Sequence, residues 1–254
     1  MINIPTLSFC ITCKNRVHQI QKTLKKNLDD NRIHQRFIEF VLIDFGSTDG
    51  LKEWILSEFT NDLSSGFLRY YYTEELQFWH ASIAKNTAHI CARHDILVNL
   101  DCDNFTGHYG GLFIINKFAM YNLGIVFHQF RGTTGDGSYG RISVLRKFFY
   151  RIGGYDESLQ PMGYQDDDLL NRLKQLGLTY ILDADTEYNE AIFNTKEEGI
   201  SYTESTKDYT AMLYENRQKS ILNLSTGKLI ANRGIFGIRK NIFDNHGNYY
   251  EPTL

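Results

Sequence analysis

Two clusters of carboxylates carry most of the chemistry this chain can offer. The first is Asp101-Cys102-Asp103, directly after the apolar run Ile96 to Leu100. Two carboxylates one residue apart, just past a buried strand, can reach toward a single divalent cation. Oxygen ligands of this kind suit magnesium or manganese, and the same ion can hold a diphosphate. An acidic turn closing a strand is the plainer explanation. The second cluster is Tyr164-Gln165-Asp166-Asp167-Asp168, at the start of a helical pattern. One aspartate there is accounted for by N-capping and the helix dipole. Three adjacent carboxylates repel one another, so such a cluster is tolerable near cations or acceptor hydroxyls and can raise the proton affinity of one member.

Two further segments follow apolar strands in the same way. Thr12-Cys13-Lys14-Asn15-Arg16 precedes a helix, so two cations and helix N-terminal amides are available to a nucleotide's ribose or phosphates. Ile43-Asp44-Phe45-Gly46-Ser47-Thr48-Asp49-Gly50 offers Asp44 as an acceptor for a base N–H, with Ser47 or Asp49 as the cap of the next helix. Each has an ordinary turn-and-cap explanation. Cys10 and Cys13 form a CxxC, but within a strand residues three apart point to opposite faces, so buried thiols are expected rather than a metal or redox site.

The elements that must position these residues alternate. β-type runs at Leu7 to Ile11, Phe37 to Ile43, Phe67 to Tyr72 and Ile96 to Leu100 are separated by helical patterns at Val17 to Leu28, Leu51 to Phe59 and Ala81 to Ala92. This predicts an α/β fold with a mostly parallel, Rossmann-like central sheet flanked by helices, binding ligands beyond the carboxyl ends of its strands. After Asp103 the pattern gives a helix at Leu112 to Tyr121, a strand at Ile125 to Phe130, and a loop from Gly132 to Gly140. A strand at Arg141 to Leu145, a short helix near Phe148, a helix at Asp166 to Leu176 and a strand at Tyr180 to Leu182 follow. A polar helix from about Ser205 to Leu222 and an irregular tail close the chain. A single domain over residues 1–254 is expected, with a nucleotide-binding half to about 104 and a smaller C-terminal, acceptor-side half beyond it.

The order Thr-x-Lys-Asn-Arg, Asp-x-Gly-Ser-Thr-Asp-Gly, Lys85-Asn86 and Asp-x-Asp resembles the N-terminal half of family 2 glycosyltransferases, which have the GT-A fold. Gly140-Arg141-Ile142-Ser143-Val144-Leu145, Gly153-Gly154-Tyr155-Asp156 and Asp166-Asp167-Asp168-Leu169-Leu170-Asn171-Arg172-Leu173 look like the C-terminal motifs of β-1,4-galactosyltransferases. Bacterial chondroitin-polymerase-type enzymes are similar to both. The resemblance spans roughly residues 6 to 176 and implies an inverting, metal-dependent transfer of a hexose or N-acetylhexosamine from a UDP-sugar to a saccharide or glycolipid acceptor. It would place uracil on Asp44, with the Thr12 backbone and Arg16 nearby, and Lys85 at the ribose or diphosphate. Asp103 would ligate Mn²⁺ or Mg²⁺ directly, and Asp101 would contact the ribose or the metal through water. Gly140 would admit the donor sugar, and Asp166 would be the base, with Gln165 and Asp167 on the acceptor. The chain departs from the galactosyltransferase pattern in having Gln165 where that pattern has Glu. That pattern also supplies a later histidine to the metal; His246 is the one histidine after His128, so the metal shell would be completed by His246, by another residue or by water.

Composition narrows the setting. A formal net charge of −3 gives no long-range attraction for nucleic acid or an anionic membrane. No apolar run reaches the length of a membrane span. The expectation is a soluble, cytoplasmic protein, with peripheral association at the inner face of the membrane left open. A sugar-1-phosphate nucleotidylyltransferase is the nearest rival, although such enzymes carry a glycine-rich, arginine-containing loop after the first strand. A non-catalytic domain that only holds a nucleotide sugar is the other.

Overall fold

The computed structural model describes residues 4–132, 137–195, 198 and 200–252. Residues 133–136 of the predicted Gly132–Gly140 loop lie outside this set. The first strand, β1 (Leu7–Cys13), is buried along its whole length, as is β2 (Ile38–Asp44). Strands covered on both faces read as continuous apolar runs, which is why these segments show no alternation. With β3 (Leu68–Tyr72) and β4 (Ile96–Asn99), all four run parallel. Helices α1 (Val17–Asn31), α2 (Leu51–Glu58), α3 (Thr60–Ser65) and α4 (Ala81–Cys91) make the connections. β1 sits between β2 and β4, so the chain reverses its direction of travel across the sheet there, and a crevice opens at their carboxyl ends.

Beyond β4 the sheet changes character. Helix α5 (Gly110–Met120) leads to β5 (Ile125–Gln129) and then β6 (Ile142–Leu145), which inserts antiparallel between β4 and β5. Because β6 runs the other way, the residues that enter it, Tyr139 to Arg141, stand at the same end as the carboxyl ends of β1 and β4. After α6 (Arg146–Arg151) and α7 (Gln165–Gln175), β7 (Thr179–Asp183) pairs parallel with β5. Helix α8 (Tyr209–Ser225) follows. The tail read as irregular contains a hairpin, β8 (Ile242–Asp244) and β9 (Tyr249–Tyr250), which extends the sheet past β3. The full order is β7-β5-β6-β4-β1-β2-β3-β8-β9. A three-residue strand and a two-residue strand are too short to generate a periodic signal, which is why the tail looked structureless.

Two buried polar seams hold the loops of this end in place. Along α1, Gln19, Thr23, Asn27 and Asn31 fall four residues apart and are all buried. Thr23 Oγ1 donates to Cys102 O at 2.6 Å, and the Asn27 side chain bonds Asn104 O at 2.9 Å and Thr106 N at 2.8 Å. Asn31 accepts from Gly111 N at 2.8 Å. A helix face that meets a loop instead of a side-chain layer must supply partners for that loop's backbone, and this stripe does so. On α8, Asn216 bonds the carbonyls of Gln160, Met162 and Gly163, while Ser220 Oγ donates to Asp168 at 2.7 Å.

Asp168 itself has no exposed surface and pairs with the buried Arg172 guanidinium, Nε to Oδ2 at 2.7 Å. Removing one member of a buried pair strands the other charge. Asp168→Ala should therefore lower the unfolding free energy by about 3–5 kcal/mol in urea titration, and a loss below about 1 kcal/mol would mean that the pair is dispensable.

Candidate active site

At the carboxyl ends of β1 and β4 lies a cleft of about 560 Å³. That volume suits a small molecule or cofactor. Its walls bring together nearly all of the residues singled out above: Thr12, Lys14, Arg16, Lys85, Asp101, Asp103, Gly140, Gln165, Asp166 and Asp167. The segments come from five places in the sequence and meet only through the topology.

Lys85 is the hinge of the arrangement. It projects from α4, is buried, and donates from Nζ to Asp166 Oδ1 at 2.8 Å, with Asp101 Oδ1 at 3.8 Å. Tyr155 presents its ring to the same ammonium at 5.5 Å. Burial alone would drive the proton off, but the Asp101 and Asp166 charges outweigh it and hold the lysine charged, its proton affinity above the ordinary range. Asn86, the next residue, is buried and fixes the following glycine-rich turn, donating to Tyr155 O at 2.9 Å and accepting from Tyr155 N at 2.8 Å. Gly154 in that turn has φ of 67°, and a Cβ there would meet Asn86 Oδ1 at 2.4 Å.

Asp101 and Asp103 stand on the loop that the α1 stripe secures. Asn99 Nδ2 donates to Asp101 Oδ1 at 3.1 Å and to Gly140 O at 2.9 Å. A Cβ on Gly140 would lie 2.7 Å from Asp101 Oδ2 and 3.0 Å from Lys85 Nζ, so glycine is what lets this strand entry close over the acid–lysine pair. Arg141 donates to Asn104 Oδ1 at 2.7 Å, and Asn104 in turn donates to Asp103 Oδ1 at 2.6 Å, orienting that carboxylate from behind. Asn194 approaches the other oxygen of Asp103 and also meets Gln19. Burial, reinforced by the Asp101 charge, pushes Asp103 up to about 6. Two half-buried carboxylates with hard oxygen donors and an unfavourable mutual charge fit a divalent cation that would relieve the repulsion. Among the described residues no group of three or more His, Cys, Asp or Glu forms a cage, so further ligands would come from a bound phosphate, an amide oxygen or water.

The three successive aspartates divide their work. Tyr164, at φ of 66°, precedes α7, and no side chain caps the helix, so capping does not explain any of them. Asp166 faces Lys85, and Gln165 Nε2 donates to its second oxygen at 3.2 Å. Asp167 accepts from Tyr139 Oη at 2.5 Å, and burial raises its proton affinity despite that bond. Asp168 turns inward to Arg172 and is structural.

Three expectations need correction. Asp44 has no exposed surface and lies behind the cleft wall, its oxygens taken by Ser47 N and Tyr70 Oη, each at 2.8 Å. It shapes the turn after β2 rather than facing a base. Asp49 does not cap α2 but reaches across to Val17 N at the start of α1, at 2.8 Å, and Ser47 accepts from Asn15 N at 2.9 Å. His246 lies in the β8–β9 turn, four strand spacings from β4, roughly 19 Å away. Because β8 is antiparallel to β3, that turn also points toward the opposite end of the parallel strands, so His246 does not join the aspartates. Lys14 reaches the cleft, but its Nζ donates to Phe45 O at 2.7 Å and Leu76 O at 3.1 Å, tying three strand ends together. Arg16 NH2 donates to Glu198 O at 2.7 Å on the facing wall. The expected pair of buried thiols, Cys10 and Cys13, is borne out, with both free.

Reasoning from residue types missed Gln19, Tyr139 and Asn194, and the aromatic lining of Trp79, Tyr202 and Tyr209. The four-residue polar spacing on α1 was a readable signal for Gln19. Asn194 had none, being 91 residues from the aspartate it touches in a stretch without periodicity.

The family profile described as Glycosyl transferase family 2 matches residues 8–148, just over half of the chain. No curated protein sequence matches. Among solved structures, a mannosyltransferase from Pyrobaculum calidifontis in complex with GDP-Man and Mn²⁺ aligns with a TM-score of 0.60 at 17% identity, over 87% of this chain and 65% of that one. S. aureus TarS residues 1–349 in complex with UDP-GlcNAc gives 0.62 at 16% identity, over 86% and 66%. GalNAc-T7 with UDP, GalNAc and Mn²⁺ gives 0.58 at 16%, over 72% and 42%. The chain spans 65% of the mannosyltransferase and 39% of the longer TarS structure. These likenesses establish the fold, a mixed α/β sheet of the GT-A kind. The profile match, with this cleft at the switch point of the sheet, makes the chain a member of glycosyl transferase family 2.

Proposed function

We propose that this glycosyltransferase moves a hexose or N-acetylhexosamine from a UDP-sugar to a hydroxyl of a saccharide or glycolipid acceptor, with inversion at the anomeric carbon. The observation that carries the reading is the single buried Lys85 joining Asp101 to Asp166, because it sets the expected donor side and acceptor side of a transfer in one cleft. A divalent ion, Mn²⁺ or Mg²⁺, would be held by Asp103 with Asp101, and when bound it would supply positive charge to a leaving diphosphate. The neighbours solved with Mn²⁺ support that assignment.

The rest of the work falls to the chain's own groups. Thr12, Arg16 and Lys85 bind and orient the nucleotide, and the Lys85 ammonium adds a fixed charge where the diphosphate gains its own. Asp166 accepts the acceptor hydroxyl's proton as that oxygen bonds to the anomeric carbon, and the bond to the diphosphate breaks with its electron pair leaving on UDP. Attack from the face opposite UDP gives inversion. Gln165 and Asp167, the latter held by Tyr139, position the acceptor. The resemblance of the C-terminal motifs to those of β-1,4-galactosyltransferases motivates this assignment of Asp166. Gln165 leaves that wall one charge poorer than a glutamate would, which favours a different acceptor.

Since no side chain caps α7, and an amide oxygen can still accept from Lys85 Nζ with Asp101 left as its counter-charge, Asp166→Asn should spare the helix. Asp166→Asn is expected to fold and bind UDP normally while turnover, read as acceptor-dependent UDP release, falls at least roughly a hundredfold. Near-normal turnover would shift the role to Asp167 or remove it from this mechanism. UDP is expected to bind more tightly than GDP in competition calorimetry with Mn²⁺. The neighbours include both a UDP-GlcNAc and a GDP-Man complex, so a preference for GDP would redirect the donor assignment.

A further inference from the structure

A net charge of −3 conceals a strongly uneven distribution. Residues 216–243 hold six Lys or Arg and no Asp or Glu, leaving −9 on the remainder. This stretch covers the C-terminal half of α8 and the loop to β8. Here α8 is patterned the wrong way round for a helix facing water. Its buried stripe is Met212, Asn216 and Ser220, whereas Ile221 and Leu222 point outward at 47% and 63% exposure. The loop repeats the pattern, with Ile230 and Ile235 exposed at 59% and 73% among Lys228, Arg233 and Lys240 on the surface.

The end of α8 and the start of the loop meet in space. Lys228 N donates to Asn223 O at 2.8 Å, folding the loop back onto the end of α8. Asn223 and Lys219 both reach the 156–158 turn, and Lys228, Ile230 and Arg233 border a shallow hollow above that same turn. Asp156 lies in the hollow but is buried and engaged by Ser158 at 2.9 Å, so the rim is cationic. Inward polarity on α8 has its own explanation in the bonds from Asn216 and Ser220. The outward isoleucines and leucine have no such partner among the described residues.

We propose that this face docks on an anionic lipid bilayer, with Ile221, Leu222, Ile230 and Ile235 entering the headgroup region and Lys228, Arg233 and Lys240 meeting lipid phosphates. Charge complementarity selects this occupant. Exposed apolar side chains interspersed with cations, in a stretch of sequence without Asp or Glu on a chain otherwise negative, match an interface that is greasy beneath and negative above. No helix among the described residues is long and apolar enough to cross a membrane, so the contact would be peripheral. α8 also supplies Tyr209 and Leu213 to the cleft, so docking would hold the cleft at a fixed height above the bilayer. The inference does not depend on the transfer chemistry.

Vesicle flotation with the whole chain tests it. Phosphatidylcholine vesicles containing phosphatidylglycerol should carry the protein at low salt, at least roughly tenfold better than phosphatidylcholine alone, and high salt should release it. The variant Lys228→Glu/Arg233→Glu/Lys240→Glu should lose binding roughly a hundredfold or more. Ile230→Ser/Ile235→Ser should weaken it while UDP affinity is unchanged in both. Equal partition onto neutral and anionic vesicles, or none onto either, would overturn the proposal. So would a dimer by sedimentation that the isoleucine variant dissociates, since a second copy would then be the occupant.

Discussion

Four carboxylates, those of Asp101, Asp103, Asp166 and Asp167, crowd into a cleft that lies partly away from water, and their mutual repulsion is the condition every other part of the site answers to. The Lys85 ammonium is the group that makes the crowding tolerable. Buried between Asp101 and Asp166, it is held charged by them and in turn keeps the two loops that carry them at contact distance. Its own position depends on α4, on the Asn86 bonds to the glycine turn, and on the ring of Tyr155. A Cβ at Gly140 would displace the Asp101 carboxylate and the Lys85 ammonium of the same cluster. One cation does not neutralise four acids, and Asp103 is pushed up to about 6 by its burial and, after that, by the Asp101 charge.

Topology converts this local electrostatics into a site. Parallel strands deliver the β1 and β4 loops to one end, and the reversed β6 brings Tyr139 and Gly140 to the same end from the other half of the chain. Helix α7 then enters without a cap, its first turn of aspartates facing the lysine, the tyrosine and the core in succession. The exposed dipole of an uncapped N-terminus stabilises that negative charge further.

Much of the fold was legible because its central strands are apolar runs punctuated by polar clusters, a pattern that survives without tertiary knowledge. The strands β5, β6 and β7 were found where expected, and the uncovered hairpin β8–β9 escaped because strands so short have no period. At the site, position past a strand identified Asp101 and Asp103, the crowding of acids at a helix start pointed to Asp166, and the family resemblance pointed to Lys85; all four converge. Position past a strand failed for Asp44, and the resemblance failed for His246. Being last in a strand says which end a side chain occupies but not whether it faces the cleft or the core, and Asp44 turns to Tyr70. A histidine's chemistry says nothing of its distance, and the edge hairpin carries His246 to the far side of the sheet. Which of three adjacent aspartates is structural depended on Arg172 and Ser220, whose bonds are tertiary facts.

On the proposed function, a divalent cation and a nucleoside diphosphate together complete the acidic cleft. Calorimetric titration of UDP in Mn²⁺ and in chelator, on the wild-type chain and on Asp103→Ala, tests it most directly. Binding should weaken at least roughly tenfold in chelator, about 1.4 kcal/mol, and Asp103→Ala should bind UDP equally weakly with or without the metal. Equal wild-type affinity in Mn²⁺ and in chelator would contradict the claim.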